Sequence, residues 1–143
     1  MATSFMRCSP EDTATPTPTA PGRKTGYIVF AHGSRLEQAN EQVRAAARAM
    51  AQDGGFELVE AAFLDCTPPD LVAAVGELVR RGAGRIVVIP YFLTLGRHTA
   101  VDLPRIAAEA RRIHPDVKIE VTETLDGHPA LGRILLDRAL QAG

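Results

Sequence analysis

Apolar residues along this chain fall into two alternating rhythms. Three short runs, Tyr27-Ile28-Val29-Phe30-Ala31, Leu58-Val59-Glu60-Ala61-Ala62-Phe63-Leu64 and Ile86-Val87-Val88-Ile89, have the length and composition of buried strands. Between them apolar residues recur every three or four positions. Val43, Ala46, Ala47 and Met50 predict a helix from about Leu36 to Gln52, ended by Gly54-Gly55. Thr67-Pro68-Pro69-Asp70 opens a second helix that carries Leu71, Val72, Val75, Leu78 and Val79 and closes at Gly82. The third strand should stop at Pro90, because proline removes a ladder hydrogen bond. A third helix is expected over about Leu103 to Ile113, a short fourth strand over Val117 to Val121, and a last amphipathic helix over Pro129 to Ala142.

Alternating β and α segments predict an α/β fold with a parallel sheet. The expected architecture is a flavodoxin-like three-layer sandwich with four parallel strands in the order 2-1-3-4, joined by right-handed crossovers. Residues 1 to about 25, rich in Thr, Pro, Ala and Ser, cannot bury enough apolar surface to offset their ordering entropy and read as a disordered tail. Residues 26 to 143 then form one domain.

Formal net charge over the 143 residues is −1, so no general positive field attracts nucleic acid or anionic lipid. Aromatic residues are 5% with no Trp, which leaves no base-stacking platform. No apolar run approaches the roughly 20 residues that span a bilayer. Cys8 and Cys66 form neither a disulfide framework nor a Cys-x-x-Cys motif, and a reducing cytoplasm is the expected location.

Candidate chemistry gathers where strands end. His32, Asp65 and His98 each follow an apolar run, at equal intervals of 33 residues, and in a parallel sheet all three emerge on the carboxyl edge, where open α/β sheets bind ligands. Gly33 permits a tight turn, and the amides around Ser34 at the helix start could hold an anion. The loop from Tyr91 to His98 is longer than a tight βα turn needs, as functional loops tend to be. Each histidine alone reads equally well as an ordinary turn or surface residue. Taken together on neighbouring strand ends, they suit a divalent first-row metal or a proton. Cys66 is expected to be a small buried hydrophobe, His114 a helix-end residue and His128 a loop residue. Arg35, Arg97 and Arg105 are the cations best placed to meet an acidic substrate.

The motifs Ala31-His32-Gly33-Ser34-Arg35, Ala62-Phe63-Leu64-Asp65, Pro90-Tyr91-Phe92-Leu93 and Gly96-Arg97-His98 with Asp102-Leu103-Pro104 occur in this order. In them the chain resembles the small sirohydrochlorin chelatases, the short class II chelatases of siroheme and cobalamin synthesis. The resemblance covers about residues 26 to 143. It implies insertion of a divalent metal (Co²⁺, Fe²⁺ or Ni²⁺) into sirohydrochlorin, a polycarboxylate tetrapyrrole, with the metal as substrate and no permanently bound cofactor. It also implies a homodimer. By the same resemblance His32, His98 and Asp65 are the catalytic and metal-binding residues. Ser34, Arg35, Leu93, Thr94, Leu95, Gly96 and Arg97 then contact the substrate. Many members carry glutamate where this chain has Asp65, and the shorter side chain favours a water-mediated contact. Because imidazole must lose its proton to bind metal, activity should fall as pH drops through the ordinary histidine range, about 6.5. Two rivals share the fold: a metal carrier without a tetrapyrrole pocket, and a binding module without chemistry.

Overall fold

The computed structural model describes residues 23–143. Four strands, β1 (Lys24–Ala31), β2 (Leu58–Phe63), β3 (Ala83–Pro90) and β4 (Lys118–Val121), alternate with α1 (Glu37–Gly54), α2 (Leu71–Arg80), α3 (Arg97–Ile113) and α4 (Ala130–Ala142). All pairings are parallel, and the sheet order is β2-β1-β3-β4. β1 begins at Lys24, inside the stretch assigned to the tail; Lys24 pairs with Ala83 ahead of a register shift at Thr25. The rest of the tail, including Cys8, lies outside the described residues.

Because side chains alternate along a strand, the sheet sorts its apolar residues onto two faces. Ile28, Phe30, Ile86, Val88 and Ile119 point to one face, where α2 contributes Leu71, Ala74, Val75 and Leu78 and α3 contributes Leu103 and Ala110. Val29, Ala31 and Phe63 point to the other, under Val43 and Ala47 of α1. Asp70 caps α2 by accepting a hydrogen bond from the Ala73 amide. Gly55, at φ +66°, closes α1.

Two features depart from the pattern read in the sequence. α3 starts at Arg97, six residues before Leu103, and contains Pro104. Pro104 looks like a helix start because proline is favoured there, yet it lies within α3, where it forfeits the amide bond to the carbonyl of Ala100, an exposed residue. α4, in contrast to the other helices, buries none of its residues. The α1 layer therefore covers only the β1–β2 half of its face.

Candidate functional site

The site begins where β1 and β2 run past their ends. Leu64 donates its amide hydrogen to the Ala31 carbonyl and Asp65 donates its own to the His32 carbonyl, each at 2.9 Å. His32 and Asp65 are thereby locked side by side on the carboxyl edge of the sheet. Between them sits Gly33 at φ +92°, where a Cβ would come within 2.0 Å of the Asp65 carbonyl oxygen. No side chain fits there, so this glycine sets how closely the two segments approach.

His32 is exposed, and its Nδ1 lies 3.3 Å from the Gly33 carbonyl. A carbonyl can only accept, so Nδ1 carries the proton in this contact, and in the neutral tautomer that makes it the lone pair is on Nε2. Asp65 is exposed as well. Its Oδ1 accepts from the Cys66 amide at 2.8 Å, and among the described residues Oδ2 makes no hydrogen bond. That turn gives Cys66 φ 75° and carries it into solvent, contrary to the buried role expected of it.

Asn40, which the sequence did not single out, organises the next step of the loop. It is 2% exposed, its Oδ1 accepts from the Ser34 amide and its Nδ2 donates to the Ser34 carbonyl, both at 2.8 Å. Nδ2 also donates to Glu37 Oε1 at 3.2 Å. Ser34 Oγ accepts from the Leu36 amide at 3.0 Å. The Ser34 amide is therefore engaged rather than open to an anion, and Glu37 places a carboxylate in the first turn of α1. A buried Asn near a helix start was the only signal in the sequence, and it reads there as a routine polar residue.

β3 is the neighbour of β1, so the loop after it borders the same edge. The Tyr91 amide donates to the Phe30 carbonyl at 2.7 Å, which fixes the start of the loop. Gly96 caps α3, so Arg97 and His98 form its first turn rather than the end of a loop. The side chain of His98 lies outside those described. The equal 33-residue intervals consequently do not mark equivalent positions: His32 directly follows β1, Asp65 is two residues past Phe63, and His98 lies in a helix. Among the described side chains no three of His, Cys, Asp and Glu converge as a metal site.

Of the expected substrate contacts, Arg35, Leu93, Thr94, Gly96 and Arg97 are exposed. Leu95 is half-buried and lines a cleft of about 500 Å³ with Pro90, Leu103, Ala107, Val121 and Thr124. Arg105 pairs with Asp102 at 3.4 Å, whereas Arg35 and Arg97 form no ion pair among the described residues. His114 caps α3, and His128 Nδ1 accepts from the Ala130 amide, as expected of helix-end and loop residues.

A four-stranded parallel sheet in this order, shared with a chelatase-family crystal structure, makes the chain a short-form class II chelatase. The chain belongs to the CbiX family, whose model matches residues 26–142. It is 31% identical over 117 residues to a chloroplastic sirohydrochlorin ferrochelatase of Arabidopsis thaliana, covering 82% of this chain and 52% of that protein. The chain thus spans about half the length of the plant relative. A sirohydrochlorin cobaltochelatase of Methanothermobacter thermautotrophicus is 31% identical over 134 residues, with 83% of this chain and 93% of the relative covered. The crystal structure of a putative cobalamin (vitamin B12) biosynthesis CbiX protein from Marinobacter aquaeolei VT8 superposes with TM-score 0.72 at 25% identity. That match covers 84% of this chain and all of the other.

Proposed function

We propose that this protein is a sirohydrochlorin chelatase that exchanges the two pyrrolic protons of sirohydrochlorin for a divalent metal, Co²⁺, Fe²⁺ or Ni²⁺. The observation that carries this reading is the bonded pair of His32 and Asp65 on the sheet edge, in a family whose curated relatives are named for this reaction. Nε2 of His32 offers a neutral lone pair that can hold the ion after it sheds water and then take up a pyrrolic proton as the ion moves into the ring. Asp65 Oδ2 supplies negative charge within reach of the same ion, directly or through water. His98, on the first turn of α3, is the proposed second imidazole ligand. Arg35 and Arg97, free of ion pairs among the described residues, are proposed to meet the carboxylates of the tetrapyrrole, while Ser34, Leu93, Thr94, Leu95 and Gly96 line its path.

The proposal includes a homodimer working in the cytoplasm on the metal as substrate, with no resident cofactor. No described helix is long and apolar enough to cross a membrane.

Anaerobic metallation of sirohydrochlorin, followed by absorbance with each metal offered separately, tests the reading. Wild type should accelerate insertion, and the His32→Ala, His98→Ala double variant should run at the uncatalysed rate. Metal binding without acceleration by any ion would favour the carrier instead.

A further inference from the structure

Asp65 sits in a loop, residues 64–69, that leaves the end of β2 and folds back on it. Leu64 and Asp65 donate their amide hydrogens to Ala31 and His32, Thr67 donates to the Asp65 carbonyl, and Pro69 accepts from the Phe63 amide, each at 2.9 Å. These bonds fix the backbone on the β1 side of the loop. At Thr67 the loop meets α1.

Among the described residues one side chain from outside this loop is hydrogen-bonded to it. Arg44 of α1 donates from Nη2 to Thr67 Oγ1 at 3.5 Å. The same guanidinium lies over the Phe63 ring, 5.4 Å from its centre. Phe63 is two residues before Asp65 and Thr67 two residues after it, so Arg44 grips the chain on both sides of the carboxylate. The Arg44 side chain is only 28% exposed, and a partly desolvated cation is held more strongly by an aromatic face than one in open water.

Arg44 is also tied to the His32 loop. Its Nη1 donates to Glu37 Oε2 at 2.5 Å and to Glu41 Oε1 at 3.3 Å. Glu37 Oε1 accepts from Asn40 Nδ2, and Asn40 makes both bonds to the Ser34 backbone. The two loops are therefore joined twice, once directly from Asp65 to His32 and once through Ser34, Asn40, Glu37, Arg44 and Thr67. Arginine suits this place because a planar fork can serve two carboxylates with one nitrogen and a hydroxyl with the other while its face rests on a ring. The single ammonium of lysine cannot do all three.

We infer that Arg44 is a positioning residue of the chelatase site. Through Thr67 and Phe63 it sets where Asp65 presents its carboxylate relative to His32, and so how tightly the pair holds the metal substrate. The inference rests on the chelatase reading above and extends it to a side chain on α1 that lies in none of the sequence motifs.

The test is Co²⁺ titration of the full chain, followed by the visible d–d band of the bound ion at a temperature well below the melting range. Arg44→Met should weaken Co²⁺ binding about 10-fold, the lower end of the range for residues that orient a metal ligand, and should alter the band. Thr67→Val removes the hydroxyl oxygen alone and should reproduce both changes with little loss of stability, whereas Thr67→Ser keeps the oxygen and should restore wild-type values. With Asp65→Ala already in place, adding Arg44→Met should weaken binding by less than about 2-fold further, the scatter between independent sites. Exposed ion pairs contribute little beyond stability, so loss of the Glu37 and Glu41 pairs alone would lower the melting temperature without moving the band. Wild-type Co²⁺ binding in Arg44→Met or Thr67→Val, or an Arg44→Met effect that persists in full without Asp65, overturns the inference and leaves the chelatase reading standing. Unchanged affinity in Asp65→Ala also overturns the inference, and unchanged affinity in His32→Ala as well overturns the proposed site itself.

Discussion

Replacing Asn40 by leucine removes one buried amide of nearly the same size and tests whether the site depends on it. The substitution deletes the two 2.8 Å hydrogen bonds to the Ser34 backbone and the 3.2 Å bond to Glu37. Each neutral bond contributes about 1 kcal/mol net, and a buried group left unpaired costs about 1–3 kcal/mol. Ser34 is half-buried, so water recovers part of the loss, and about 2–4 kcal/mol remains. For a domain of this size about 4 °C accompanies each kcal/mol, so the melting temperature should fall by about 8–16 °C. Asn40→Asp keeps an acceptor for the Ser34 amide but sets a carboxylate oxygen against the Ser34 carbonyl and Glu37, so it should be impaired as well. Because Ser34 is two residues from His32, both variants should bind Co²⁺ more weakly per folded molecule. Differential scanning calorimetry gives the first quantity and Co²⁺ titration well below the melting range gives the second. An Asn40→Leu protein that melts with wild type, or that loses stability yet binds Co²⁺ unchanged, would refute the assignment of Asn40 as the residue that positions this loop.

Three further outcomes follow from the same geometry. Gly33→Ala adds about 1–2 kcal/mol of left-handed strain to the collision with the Asp65 carbonyl, so the Asp65 amide should exchange its hydrogen faster by mass spectrometry; unchanged protection would contradict the close packing. Asp65→Ala should weaken Co²⁺ retention about 10–100-fold, the range seen when a group supporting a metal is removed, and equal retention would take Asp65 out of the site. The Arg85 guanidinium, hydrogen-bonded at 2.8 Å, holds the Glu120 carboxyl below its ordinary range. A depressed carboxyl stabilises the fold above its unfolded pKa and loses that contribution as pH falls through the folded value. Glu120→Gln should therefore cost up to about 1 kcal/mol near neutral pH and nothing in strong acid, read from urea melts at both; an equal loss at both would disprove the linkage.

The strand order could be read from the sequence because buried parallel strands are continuous apolar runs, and the crossover rule leaves few ways to arrange four of them. His32 and Asp65 could be read for a related reason: each follows its strand so closely that the end of the run fixes its place. What failed was everything determined by hydrogen bonds rather than hydrophobicity. The start of α3 was misplaced because Arg97 to Asp102 has little apolar rhythm and Pro104 resembles a helix start. Cys66 was misplaced because a left-handed turn reverses the alternation that a continuing strand would keep. Asn40 went unrecognised because its role depends on a contact six residues back that no periodicity encodes.

The way the Ser34 amide is consumed has a consequence for life in a phosphate-rich cell. Many α/β proteins leave that turn open, and the bare amides there collect nucleotides and free phosphate. Here the Ser34 amide is taken by the buried Asn40 side chain, and the Glu37 carboxylate in the first turn disfavours a small anion at the backbone beside it. Phosphate binds and precipitates transition-metal ions, so an edge that turns it away keeps the ion's coordination positions available to ring nitrogens. Selectivity at this end of the sheet thus rests on the Arg35 side chain rather than on bare backbone amides, and phosphate at cellular levels should not be held by the Ser34 amide.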